Sequence, residues 1–151
     1  MSSYALIVDP DVAAALVFAN GAREEGLTYI SVRDGARAFA VLAERGTPDL
    51  LVTEVALPDI DGLDLVERVR RTPSGEAMAV VVVSAHLDAR ERASAMRARL
   101  DLGAVLSKAA TVDSIRRVIR LLLGARAASD VRSSEVRVRA RWSGLRGAGG
   151  R

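Results

Sequence analysis

The feature that most constrains this chain is a series of short apolar runs without polar alternation, separated by stretches of helical spacing. Tyr4 to Val8 and Ala77 to Val83 are unbroken, and Leu50 to Val55 is a third run interrupted by Thr53 and Glu54. Short runs rich in β-branched residues and apolar at nearly every position suit strands covered on both faces, as in a parallel sheet. Leu27 to Val32 and Ala104 to Leu106 are weaker candidates of the same kind. Between them, Ala36, Phe39, Ala40 and Ala43 recur at helical spacing, as do Ala89, Ala93, Met96 and Leu100, and then Val112, Ile115, Val118, Ile119 and Leu122. Asp34 and Thr111 stand where N-caps belong, and Gly26, Gly46 and Gly103 where helices should end. Five alternations of strand and helix predict right-handed crossovers and a five-stranded, doubly wound open parallel sheet.

Half of the 151 residues are apolar, enough for one domain with a core of its own. There is no cysteine, which excludes disulfides and thiolate metal sites, and the single histidine, His86, argues against histidine-based metal or triad chemistry. His86 itself reads as a loop or helix-start residue. The N-terminus lacks the pattern of a secretory signal, and the longest apolar run, Ala77 to Val83, falls far short of the roughly 20 residues of a membrane span. A cytoplasmic location without membrane contact is expected.

Charge divides the chain at Gly124, where the apolar periodicity stops. Residues 1–124 carry a net charge of −2 and residues 125–151 a net of +5, with seven arginines in the second segment. The first segment is the expected domain. The second is expected to be a flexible basic tail, because its glycines and serines cannot build a core. The alternation from Glu135 to Trp142 could instead form a short strand, and arginine with one tryptophan could touch nucleic acid or an acidic partner.

In an open parallel sheet, chemistry sits outside the carboxyl ends of the strands, where the strand order reverses. The segments to inspect are Asp9 to Asp11, Glu54 to Gly62, Ser84 to His86 and Ser107 to Ala110. Singly these residues are ordinary: acids around a proline cap helices, a strand-end serine is common, and a lone lysine is usually solvated. Together they carry a pattern. Leu6-Ile7-Val8-Asp9, the stretch from Pro48 to Gly62, Val83-Ser84-Ala85 and Gly103 to Lys108 resemble, in order and spacing, the receiver domains of two-component response regulators over about the first 124 residues.

That resemblance implies a flavodoxin-like, CheY-like (βα)5 fold. It also implies a pocket in which an acidic pair and an aspartate hold magnesium, the aspartate accepts a phosphoryl group from a histidine kinase, and a hydroxyl and a lysine bind the phosphoryl oxygens. Carried over by position, Asp9 matches the first acid, Ser84 the hydroxyl and Lys108 the lysine. The departures fall on the same machinery. Glu54 occupies the phosphoacceptor position, Pro10 the second acid, Ala109 the place of a usual proline, and Val105 the place of a frequent aromatic switch residue.

Glutamate reaches one methylene further than aspartate, and near-attack geometry tolerates little displacement, so transfer to Glu54 should be very slow. Its carboxylate should instead approach Ser84 and come within salt-bridge reach of Lys108, as a fixed, imperfect phosphate mimic. Asp11 lies near the pocket at the start of the first helix. Asp9 and Glu54 are the remaining metal candidates, and magnesium binding through them should be weak or absent, leaving no cofactor. The Lys108–Ala109 peptide should be trans.

The expected function is that of a degenerate receiver in a two-component or phosphorelay context, not an enzyme and with no catalytic residue. It would bind other signalling proteins or itself through the fourth helix, fifth strand and fifth helix, where arginines cluster between Asp88 and Arg99 and at Arg116, Arg117 and Arg120. The arginines after Asp88 otherwise read as a solvated helix face paired with Glu91. The competing readings are a conventional phosphorylatable switch, against which Glu54 argues, and nucleic-acid binding through the tail.

Overall fold

The computed structural model describes residues 3–146. Strands β1 (Tyr4–Val8), β2 (Thr28–Val32), β3 (Leu50–Glu54), β4 (Ala79–Ser84) and β5 (Ala104–Ser107) form one parallel sheet in the order β2-β1-β3-β4-β5. Helices α1 (Val12–Glu24), α2 (Gly35–Arg45), α3 (Gly62–Arg70), α4 (Leu87–Ala95), α5 (Arg97–Leu100) and α6 (Val112–Arg146) complete it, with a 3-10 turn at Gly75–Ala77. This is the predicted doubly wound (βα)5 sheet. The chain leaves β1 toward one edge and returns to build the other, so the switch point lies between the ends of β1 and β3.

Every residue of β1 and β3 is buried, whereas the edge strand β2 exposes Thr28, Tyr29 and Ser31. Alternate residues of each strand enter opposite layers. Leu6, Val8, Leu51, Val80 and Val82 pack beneath α2 to α5, and Ile7, Leu50, Val52, Val81 and Val83 pack against Phe18 of α1 and Ile119 of α6. Each such aliphatic side chain contributes about 1.5–3 kcal/mol on burial, which makes the sheet the stable platform of the site.

Local signals act as their chemistry requires. Asp11 caps α1, Asp34 caps α2, and the Thr111 hydroxyl accepts the backbone N–H of Ser114 at the start of α6. The helical pattern from Ala89 to Leu100 breaks at Met96 into α4 and α5. Gly103 does not end a helix. Asp101 takes the left-handed conformation there, and Gly103 is needed because a Cβ would lie 2.6 Å from a Leu122 methyl and 3.0 Å from the Val80 carbonyl.

The largest departure is α6, which passes through Gly124 without a break and continues to Arg146. The stretch from Glu135 to Trp142, a strand candidate by its alternation, is helical, and the segment expected as a flexible tail is helix over 125–146. Alanine and arginine are strong helix formers, and an existing helix extends without a new nucleation cost. Arg126 Nη1 lies 2.8 Å from Asp49 Oδ1, whose other oxygen accepts the Tyr4 N–H at 3.0 Å, tying the extension to the sheet. The glycines at 147, 149 and 150 lie outside the described residues. No helix among those described is long and apolar enough to cross a membrane.

Gly62 opens α3 against the end of β3, and a Cβ there would fall 2.0 Å from the Glu54 carbonyl oxygen. Because the obstacle is backbone, Gly62→Ala should cost about 3 kcal/mol, read as a lower urea midpoint at unchanged m-value.

Candidate functional site

Asp9 follows β1 directly, and its N–H donates to Val32 O at 3.0 Å. Its side chain is almost wholly buried. Oδ1 accepts the Asp11 N–H at 2.8 Å and the Lys108 ammonium at 3.0 Å. Glu54, the last residue of β3, is 4% exposed, and its Oε1 accepts the Ser84 hydroxyl at 3.2 Å. Ser84 Oγ in turn accepts the His86 N–H at 3.2 Å. Lys108 follows β5, where its N–H donates to Ser84 O at 3.3 Å.

Asp9, Glu54, Ser84 and Lys108 therefore converge at the switch point. Asp11 stands at its rim: Oδ1 caps α1 through the Ala13 and Ala14 N–H groups, and Oδ2 lies 3.7 Å from Lys108 Nζ. The expected contact between Glu54 and Lys108 is not among the ion pairs. Lys108 has its ammonium on Asp9 with Asp11 beside it, so Glu54 turns to the neutral hydroxyl of the adjacent strand. Val105 lies on β5 in the layer with Ala89 and Met96, away from these polar contacts. The Lys108–Ala109 peptide is trans.

Burial pushes the Glu54 carboxyl above its ordinary pKa; the Lys108 charge opposes the rise and the Asp9 charge adds to it. Burial alone would lower the Lys108 pKa, but the hydrogen bond and charge of Asp9, with Glu54 and Asp11 behind, hold it above the usual lysine value. Asp9 Oδ2 and Glu54 Oε2 are buried without a hydrogen-bond partner. No group of three His, Cys, Asp or Glu side chains able to hold a metal is found among the described residues.

Several supporting residues carry no local sequence signal. Asp59 accepts the Gly35 and Ala36 N–H groups, each at 2.8 Å, which lowers its pKa and pins the loop after β3 to the start of α2. The arginines of α4 and α5 do not pair with Glu91 among the described ion pairs. Arg90 donates to Ser84 O at 3.0 Å, Arg92 pairs with Asp61, the cap of α3, and Arg99 pairs with Glu67. Arg92 and Arg99 stay largely exposed, at 52% and 64%, so the face is solvated as the sequence suggests, but their acidic partners lie 31 and 32 residues away rather than on the same helix.

The response regulator receiver domain matches residues 5–120 of this chain. The chain belongs to that family. It is 28% identical over 122 residues to a probable chemotaxis protein CheY of Rhizobium etli, covering 80% of this chain and 92% of that protein. An uncharacterized 14.6 kDa protein of Leptolyngbya boryana is 36% identical over 89 residues, covering 59% of this chain and 66% of its own length. A CheY-like receiver domain from Methanospirillum hungatei shares the fold, with a TM-score of 0.71 at 19% identity over 85% of this chain and 99% of that one. The chain spans 17% of the longer regulator NtrC of Escherichia coli. It is a response-regulator receiver domain of two-component signalling.

The raised Glu54 pKa has a definite sign. The folded state holds this proton more tightly than the unfolded chain, so the stability it contributes is present in acid and is lost as pH rises through the raised value. Glu54→Gln should therefore melt about 3 °C higher than the parent near neutrality, with the difference vanishing below the ordinary carboxylate range, in melts across pH.

Proposed function

We propose that this receiver domain works without phosphorylation, as a fixed protein-interaction module whose pocket Glu54 holds in one state. The supporting observation is that the groups a phosphoryl would need are already engaged. The Ser84 hydroxyl donates to Glu54, and the Lys108 ammonium is bound by Asp9. The extra methylene of Glu54 displaces its oxygens from the position an aspartate would use for in-line attack.

The donor set also does not fit a tight magnesium site. Asp9 and Glu54 each offer one free buried oxygen, but Lys108 sits on the other oxygen of Asp9, and Pro10 supplies no carboxylate. Magnesium dehydrates reluctantly and demands near-octahedral oxygen ligation, so neither metal nor other cofactor is part of this reading. Val105 gives no aromatic group to report pocket occupancy. A ligand that does not distinguish two states cannot shift their populations.

In this reading the domain is not an enzyme, acts in the cytoplasm, and binds other signalling proteins or a second copy through α4, β5 and the first half of α6. Arg116 pairs with Glu24 at the end of α1 and Arg120 with Glu25, the residue that caps it, and Arg117 is exposed. The DNA-binding activity named for NtrC is that protein's own.

Treatment with magnesium and a small-molecule phosphodonor should leave intact mass and sizing profile unchanged; a covalent phosphate on the domain overturns the proposal. Glu54→Asp alone should remain unmodified, whereas Glu54→Asp with Pro10→Asp should regain magnesium binding by calorimetry. Full phosphorylation of the single variant would show that the metal part of the account is wrong.

A further inference from the structure

Helices α2 and α3 cover the same layer of the sheet, and a cleft of about 300 Å³ lies between their carboxyl-terminal halves. Its floor is apolar: Phe39 and Leu42 of α2 and Val69 of α3 belong to the core layer beneath. Hydrogen bonds fix the two helices at both ends of this space. On the side of the Glu54 pocket, Asp59, on the loop that leads into α3, accepts the Gly35 and Ala36 N–H groups at the start of α2. At the other end Thr47 and Ser74, which follow the two helices, join through their hydroxyls at 2.7 Å. A preformed apolar space of this size, at the small end of the range for ligand pockets, suits a compact molecule.

One charge stands over the floor. The Arg68 guanidinium lies 5.6 Å from the centre of the Phe39 ring. Its neighbours in sequence are engaged elsewhere, Arg70 with backbone carbonyls and Arg71 with Glu67. Among the described residues Arg68 has no carboxylate at ion-pair distance, although Asp64 stands one turn away on the same helix. A guanidinium stacked on a ring keeps its in-plane N–H donors free, which is the geometry that receives a carboxylate. The opposite end of the cleft repels such a group, because α2 and α3 both end there in their terminal carbonyls. The charge pattern therefore sets an orientation as well as a preference.

We propose that this cleft binds a small aryl carboxylate, with the ring on Phe39, Leu42 and Val69 and the carboxylate on Arg68. The space is short and bounded at both ends, which favours a compact rigid body over a flexible chain, and the Phe39 ring gives a second ring a favoured contact. The site lies toward the amino end of the sheet, away from Glu54, so its occupancy is independent of how the pocket is used.

Cinnamate and cinnamyl alcohol share an apolar body and differ in charge. Titrated into the full chain by calorimetry, cinnamate should bind one-to-one and about tenfold more tightly than the alcohol, as a charge-assisted pair requires. The amide resonances of Thr47 and Ser74 should shift on binding while those of Asp9 and Glu54 stay in place. Arg68→Met keeps an apolar stem over Phe39 and should bring the two affinities together. Retention of the preference by this variant would put the anion on another residue and overturn the proposal. Equal affinities in the parent chain overturn it without any variant, as do shifts confined to the Glu54 pocket or a lack of saturable cinnamate binding at millimolar concentration.

Discussion

The rest of the structure depends on the burial of β1 and β3 on both faces. A strand covered on both sides can hold a polar side chain only where it is satisfied on the spot, as when the Thr53 hydroxyl donates to Glu54 O at 2.9 Å. Charge has to wait until the strands emerge from between the helical layers. Besides Thr53, the buried polar side chains among the described residues are Asp9, Glu54 and Ser84, at the end of β1 or in the last position of β3 and β4. The pocket follows from the sheet, since three strands that end at one level bring their first permitted polar residues together.

Within that pocket two buried carboxylates compete for one ammonium. Lys108 resolves the competition in favour of Asp9, which also holds the Asp11 N–H, and the pair is reinforced by Asp11 at the rim. Glu54 is left with a hydroxyl and an orphaned oxygen, and burial raises its pKa in consequence. A phosphoryl group would bring further negative charge to a site whose single cation is already committed.

Much of this was legible in the sequence, and the boundary of legibility is physical. The strands, their order of appearance and the caps at Asp34 and Thr111 depend on short-range periodicity and local hydrogen bonding, which a sequence displays directly. The choice of Lys108 between Asp9 and Glu54 does not. All three residues were expected in one place, but which carboxylate wins depends on differences of an ångström among groups about 50 or more residues apart. Gly103 misled for a related reason. A glycine after a helix suggests a left-handed cap, whereas here it clears space for Leu122 on a helix that begins nine residues later. The drop in apolar periodicity at Gly124 marks the end of apolar contact with the sheet, with the Arg126–Asp49 pair the one polar tie described beyond it, and the helix continues because propagation needs propensity rather than a core.

A second anchor lies at the opposite end of α3 from the pocket. Arg70 donates to the carbonyls of Leu100, Gly75, Met78 and Asp101 at 2.6–3.0 Å and to Glu76 at 3.2 Å, a guanidinium serving several acceptors at once. Its pKa is lowered by burial, yet arginine remains charged, so each of these bonds is charge-assisted. At the other end of α3, Asp61 caps the helix and pairs with Arg92 of α4. Helix α3 is thus strapped at both ends to the α4–α5 segment, and Arg90 ties α4 to Ser84 beside Glu54. The exposed pair is weak by itself, but the half-buried Arg70 cluster is not. The contacts of Arg70, Arg92 and Arg90 together join α4 and α5 to both ends of α3 and to the last residue of β4.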